Sequence, residues 1–153
     1  IGQGVEGFPV AAVANVLVGS LLIGISLLLA AVALLLAVAE NRCGMKLSAF
    51  DAYINVIGGL RLDEPGADLP VILAVASCYR DKVIPNDLVA IGEVGLTGEI
   101  RSVSFLNQRL AEVARLGFSK CIIPKLGSEK LEIPKNLTVY RVRNIREAIE
   151  IIL

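Results

Sequence analysis

The sequence predicts a mixed α/β domain: short mixed sheets with helices packed on them. Three observations point there. From residue 51 onward, short β-rich runs alternate with segments whose apolar residues recur at helical spacing. Gly, Pro and Asn-Asp pairs sit at the junctions, where chain reversals need them. The stretch Gly92 to Arg101 has the form of a hairpin, two short strands around a glycine-bearing turn.

The elements follow in order. Phe8 to Val18 is rich in Val and Ala and predicts a buried strand. A helix follows from Ser26, with Ser26 as its N-cap and Gly44 as its C-terminal stop. Ala52 to Ile57 is a β-rich run ending at Gly58-Gly59. Asp68 to Tyr79 has helical spacing, with Asp68 at the start, where a carboxylate favours the exposed amides, and Pro70 tolerable in the first turn. Pro85-Asn86-Asp87 is a turn, Leu88 to Glu93 a strand, Gly95 to Gly98 a turn and Glu99 to Val103 the returning strand. Ser104 to Leu116 is an amphipathic helix. Leu106, Leu110, Val113 and Ala114 share one face, Gln108, Arg109, Glu112 and Arg115 lie away from it, and Gly117 stops it. Cys121 to Ile123 is a strand closed by Pro124, and Gly127 to Leu131 is at most a helical turn. Leu137 to Val142 alternates as a strand, and Asn144 caps a final helix, Ile145 to Leu153.

Composition bounds the function. At 153 residues the chain is expected to be one domain, 1–153, with a real core. It begins at Ile1 rather than Met and is expected to be part of a longer protein. Apolar residues make up 55%, which excludes disorder. Fifteen basic residues balance fifteen acidic ones, so net charge drives no strong nucleic-acid binding, although a local basic patch remains open. The absence of His removes Ser-His-Asp and Cys-His catalysis and His-based metal sites. Cys43, Cys78 and Cys121 are widely spaced, without a CxxC, and are expected to be free buried thiols in a reducing cytosol.

Residues 1–33 are atypically apolar. No charge falls between Glu6 and Glu40, and Leu17 to Ala39 passes a hydropathy test for a membrane span. A membrane anchor through residues 10–39 is therefore one alternative. Elsewhere, Asp63, Glu64 and Asp68 in the turn Leu62 to Pro70 offer a carboxylate cluster for a divalent cation, against a solvated turn with a helix cap. No metal site is expected. The Gly92 to Arg101 glycines do not form a phosphate loop: GxxxxGK[ST] is missing, and Glu93 and Glu99 repel phosphate.

Longer motifs carry a resemblance. N-V-I-G-G-L-R-L-D-E-P-G-A-D-L (Asn55 to Leu69), A-S-C-Y-R-D (Ala76 to Asp81), G-E-V-G-L-T-G-E-I-R (Gly92 to Arg101) and R-L-A-E-V-A-R-L-G-F (Arg109 to Phe118) resemble, in order and spacing, the C-terminal Lon-protease-like domain of the RadA (Sms) family of bacterial DNA repair proteins. Leu34 to Gly44 fits as the helix before them, so residues 34–153 match well. That fit leaves too little chain for both a membrane span and a complete domain.

The resemblance implies a Lon-protease-like fold, and it locates where a Ser-Lys peptidase dyad would stand. The serine of P-S-A-G falls on Gly66, and the lysine after the T-G-E hairpin falls on Arg109. Glycine has no nucleophile, and arginine stays protonated and cannot act as a base. Ser102 and Ser104 have no evident base. A Lon-type serine peptidase is thus the disfavoured alternative. The family further implies a cytoplasmic, non-catalytic scaffold within a recombination ATPase that forms a ring-shaped helicase. This domain would serve homo-oligomerisation, as a hexameric ring, and DNA contact. ATP, Mg and Zn are expected only in N-terminal parts absent from this chain, which has no Walker A motif and no zinc cysteines. Candidate DNA-contacting cations are Arg61, Arg80, Lys82, Arg101, Arg109 and Arg115, each weighed against solvated charge or ion pairing.

Overall fold

A computed structural model describes residues 14–15, 22–51, 54–55, 64–125 and 130–152. The elements in chain order are strand β1 (Ala14–Asn15), helix α1 (Leu22–Cys43), a 3-10 turn (Leu47–Ala49), β2 (Ile54–Asn55), a second 3-10 turn (Pro65–Ala67), α2 (Asp68–Arg80), β3 (Leu88–Ala90), β4 (Glu93–Val94), β5 (Ile100–Arg101), α3 (Leu106–Arg115), β6 (Lys120–Pro124), β7 (Thr138–Val142) and α4 (Ile145–Ile152). They form three small sheets: a parallel pair β1-β2, a parallel sheet in the order β3-β6-β7, and the antiparallel pair β4-β5. The expected mixed α/β architecture is present.

β6 has a partner on each side and is buried on both faces. Strand alternation sends its side chains into two separate cores. Ile122 joins Leu35, Val38 and Ala39 of α1, Leu69, Ile72 and Leu73 of α2, and Ile145 and Ile149 of α4. Cys121 and Ile123 join Leu106, Leu110 and Val113 of α3, together with Ile91 and Leu137. Helices α1, α2 and α4 therefore cover one face of the sheet and α3 covers the other. Of the predicted faces of α3, Leu106, Leu110 and Val113 are buried and Gln108, Glu112 and Arg115 exposed, while Ala114 and Arg109 are both half-buried.

The caps explain the boundaries. Asn144 caps α4 reciprocally: its Oδ1 accepts the Glu147 amide at 2.9 Å while Glu147 Oε2 accepts the Arg143 amide at 2.8 Å. Gly44 ends α1 and Gly117 ends α3, both at positive φ (67° and 90°). The turn after Pro85 closes through the Leu88 amide to the Pro85 carbonyl at 3.2 Å.

Several expectations need correction. α1 begins at Leu22, so Ser26 lies inside it and is not its N-cap. α3 runs from Leu106 to Arg115 rather than from Ser104 to Leu116, and its N-cap is Phe105 in the left-handed conformation (φ 61°). The strand expected over Leu88 to Glu93 is two strands, β3 and β4, because Gly92 leaves the β6 ladder. Asp68 is the first residue of α2 but does not cap it; its Oδ2 accepts the Val94 amide of β4 at 3.1 Å. Of the two expected early strands, Ala14–Asn15 and Ile54–Asn55 are seen; the remainder of each, Gly58-Gly59 and 127–129 lie outside the described residues. Cys121 is buried, whereas Cys43 and Cys78 are half-buried, and no disulfide joins the three.

The hairpin between β4 and β5 closes on itself. Glu99 Oε2 accepts the Thr97 amide at 3.1 Å and the Thr97 hydroxyl, and Glu99 Oε1 accepts Arg101 Nε at 3.0 Å. These contacts, the Thr97 hydroxyl first, pull the Glu99 carboxyl down to about 2. Gly95 leaves room for it: a Cβ there would overlap the Glu99 carboxylate, which would have to swing away from Thr97. Gly95→Ala is accordingly expected to lower stability by about 1–3 kcal/mol in urea unfolding, and Glu99→Ala in the same chain is expected to recover part of it. A Gly95→Ala chain as stable as wild type would show that the Glu99 carboxylate contacts over the turn contribute nothing to stability.

Candidate functional site: a Glu64–Arg109 clasp over Gly66

The turn Pro65–Ala67 carries the first half of the site. Pro65 opens it with a preset φ, and Glu64 caps it by accepting the Gly66 amide on Oε1 at 3.1 Å. Strand geometry fixes the turn in place. The Gly92 amide donates to the Gly66 carbonyl at 3.2 Å, and the Leu69 amide donates to the Gly92 carbonyl at 3.0 Å. Gly66 is buried as a result.

The second half comes from α3. Arg109 donates from Nε to the Ser104 carbonyl at 2.9 Å and from Nη2 to Glu64 Oε1 at 2.8 Å. One carboxylate oxygen thus receives the Gly66 amide and a guanidinium from 45 residues away in sequence. A Cβ built on Gly66 would sit 3.0 Å from Glu64 Oε1 and 3.6 Å from Arg109 Nη1. Positions 66 and 109, the two dyad positions implied by the resemblance, are brought side by side. An open cavity of about 460 Å³, lined by Ile91, Phe105, Gln108, Arg109, Glu112 and Val113, lies on the Arg109 side. Phe105 stands at its edge, 71% exposed, and also borders a second cavity of about 540 Å³ that includes Ser102 and Ser104.

The chemistry available here is limited. Position 66 offers an amide but no hydroxyl, and the guanidinium at 109 neither accepts nor shuttles a proton near neutral pH. Among the described residues, neither the Ser102 nor the Ser104 hydroxyl is hydrogen-bonded to a basic side chain that would activate it.

Two of the three carboxylates in this turn take separate partners. Glu64 faces Arg109, Asp68 faces the Val94 amide, and Asp63 lies outside the described residues. Among the described residues no group of three His, Cys, Asp or Glu is placed to hold a metal ion. Burial is the main cause that raises the Asp68 carboxyl above its usual 3.8; the Val94 amide opposes the shift, and Glu93 adds to it.

The candidate cations divide into two groups. Arg101 is held by Glu93 and Glu99, Arg109 by Glu64, and Arg115 by Glu112 within α3. Arg80 and Lys82 are exposed at the C-terminal end of α2, and Arg61 lies outside the described residues. Sequence reading placed Glu64 with the carboxylates and missed it as the partner of Arg109. The capping spacing before Pro65-Gly66 was the available signal, but it names no partner on α3.

Two measurements test the clasp. A double-mutant cycle on Glu64→Gln and Arg109→Ala is expected to give a coupling of about 0.5–1 kcal/mol, since the side chains are 45% and 30% exposed; zero coupling would deny the pair. Asp68 makes a pH prediction. Its folded value lies above its unfolded one, so its contribution to stability is full below about 3.8 and is lost as pH rises through the folded value. Asp68→Asn keeps an acceptor for Val94 and is expected to gain stability relative to wild type as pH rises through that range. Parallel stability–pH curves would contradict the assignment.

With this geometry in view, kinship can be stated. A family model described as the Lon protease C-terminal proteolytic domain matches residues 15–153. The chain is 45% identical over 122 residues to the DNA repair protein RadA of Halalkalibacterium halodurans, covering 80% of this chain and 27% of that protein. It is 47% identical over 119 residues to RadA of Listeria monocytogenes (78% and 26%) and 47% identical over 119 residues to RadA of Bacillus subtilis (77% and 26%). The chain spans about a quarter of the length of the curated relatives it matches. The chain belongs to the Lon C-terminal domain family in the form found in RadA proteins.

Proposed function

We propose that this chain is the non-catalytic Lon-like scaffold of a RadA-type DNA recombination and repair ATPase, supporting homo-oligomerisation as a hexameric ring and contact with DNA in the cytoplasm. One observation carries the reading. The two positions on which the resemblance places a Ser-Lys dyad lie side by side and hold Gly66 and Arg109, with Glu64 paired to the arginine. The groups are arranged to hold a turn against a helix, not to cleave a bond. ATP, magnesium and zinc chemistry would belong to other parts of such a protein.

Exposed apolar residues, two of them (Leu34 and Leu96) bordering one cavity and Phe105 bordering others, support contacts with other copies. Leu34, Leu96 and Phe105 are exposed at 49%, 62% and 71%. The membrane alternative has less support. Among residues whose side chains are described, no helix is long and apolar enough to cross a membrane. The second half of α1 is also built into the core through Leu35, Val38 and Ala39.

Size-exclusion chromatography with light scattering, without detergent, tests the scaffold. A discrete ring-sized oligomer is expected. A monomer at all concentrations would overturn the ring, and recovery only in detergent would favour membrane attachment. No hydrolysis of an unfolded protein substrate is expected; turnover that co-purifies with the chain would restore the peptidase reading.

A further inference from the structure

Strand β7 closes one end of the β3-β6-β7 sheet and pairs along its length with β6. The parallel register decides which residues make those bonds. The Thr138 amide donates to the Ser119 carbonyl at 2.8 Å, and the Lys125 amide donates to the Val142 carbonyl at 2.7 Å. Thr138, Tyr140 and Val142 therefore turn their backbone groups to β6. Val139 and Arg141, between them, turn N–H and C=O to the opposite edge. Among the described residues those groups meet no hydrogen-bond partner.

The chain itself uses the far end of this edge. The Ile100 amide of β5 donates to the Arg143 carbonyl at 2.8 Å, the Ile145 amide donates to the Gly98 carbonyl at 2.9 Å, and Glu99 bridges Asn144 in the antiparallel sense. After Arg101 the chain turns away into α3, so this pairing stops short of Arg141. The open stretch is also basic. Val139 packs into the α3 core, and strand alternation sets Arg141 and Arg143 on that same face. Both are exposed, as are Lys135 in the turn before β7 and Lys125 just after β6. Among the described residues none of these cations forms a side-chain ion pair. The carboxylates at the Asn144 end are engaged: Glu147 accepts the Arg143 amide within the α4 cap, and Glu99 holds Thr97 and Arg101.

We propose that the open edge of β7 takes an extended acidic segment of a partner protein as an added antiparallel strand, with Val139 and Arg141 supplying the backbone bonds and Arg141 and Arg143 the charge. An unpaired strand edge is a template for another chain, and main-chain bonds give such additions their affinity. The antiparallel sense continues the direction in which β5 already pairs. In that sense the residues opposite Val139 and Arg141 place their side chains on the arginine face, so acidic residues belong at alternate positions. Uncharged β-branched residues between them lie beside Tyr140. A second copy of β7 is the poorer occupant, because it would gather both copies' arginines on one ladder with no carboxylate to offset them.

Fluorescence anisotropy on the full chain tests the edge with a labelled, end-blocked peptide that alternates glutamate with valine. Two modified versions separate backbone pairing from charge. N-methylation of every glutamate amide blocks the peptide edge that faces β7 and is expected to weaken binding by roughly tenfold or more, the loss of a few hydrogen bonds. N-methylation of every valine amide blocks the opposite edge and is expected to leave binding in place. Arg141→Glu is expected to weaken the unmodified peptide by a similar factor, Arg141→Lys to retain it, and Lys82→Glu, at the end of α2, to leave it unchanged. Circular dichroism confirms that each variant is folded. Amide hydrogen exchange on the wild-type chain gives a second readout: Val139 and Arg141 are expected to exchange faster than Tyr140 in the free chain and to slow when the peptide binds.

No binding of the peptide, or slow exchange of Val139 and Arg141 in the free chain, overturns the proposal. So does equal binding of all three peptides, which would make the surface a site for polyanions of any backbone. If slow exchange in the free chain becomes fast on dilution, the edge is an interface between copies and the acidic partner is the wrong occupant. None of these outcomes bears on the scaffold reading, which the oligomer measurement tests separately.

Discussion

The rest of the structure depends on β6 being covered on both faces. Cys121, Ile122 and Ile123 are fully buried, and consecutive residues of one strand must point in opposite directions. Two cores follow from that alternation. One needs the broad apolar surface of α1, α2 and α4; the other needs only the stripe on α3. The sequence shows this division of labour. α3 has a sharp polar face because one side meets water, whereas α2 is apolar around much of its circumference because neighbouring helices also pack on it. Burial of a large aliphatic side chain contributes roughly 1.5–3 kcal/mol, so losing Ile122 or Leu110 would loosen an entire layer.

The site is a by-product of where the β3 ladder ends. The Ile91 amide still bonds the Ile122 carbonyl of β6, but the next residue, Gly92, turns both of its backbone groups to the Gly66 turn and the start of α2. A side chain at 92 would meet Ile100 Cγ2 at 2.7 Å, so glycine is required for that close approach. Gly92 therefore links the central sheet to the turn that carries Gly66. The hairpin that follows holds α2 from the other side, through Val94 on Asp68. The turn is braced at two points before Arg109 reaches it.

Legibility in the sequence follows range. α3 and α4 are readable because periodicity and a capping box lie within a few residues of each other. The strand over Leu88 to Glu93 reads as one because its composition is continuous; the change of partner at Gly92 is decided by residues far away. Ser26 looks like a cap because serine favours that position, yet the apolar run before it continues the helix, and propensity yields to that continuation. The partners of arginines are the least legible. Arg109 meets a carboxylate across 45 residues, and Arg146 meets the Arg42 carbonyl across 104. No local pattern encodes such pairs. The motif resemblance does locate positions 66 and 109 together, since motif order fixes the fold and the fold fixes the meeting.

Those two positions and Glu64 have to be considered as one arrangement. A protonated arginine beside a buried turn needs an anion nearby, because a guanidinium left half-desolvated and unpaired is costly. Glu64 supplies the anion, and it can fold back over the turn because Gly66 has no side chain. Serine at 66 would press its Cβ to 3.0 Å from Glu64 Oε1, the same oxygen that neutralises Arg109. Lysine at 109 would keep the charge but lose the fork that reaches the Ser104 carbonyl and Glu64 together. Either substitution alone thus disturbs the contact between the turn and the helix. Glu64, Gly66 and Arg109 together hold the turn against the helix, and a substitution at one of them disturbs the contact made by the other two.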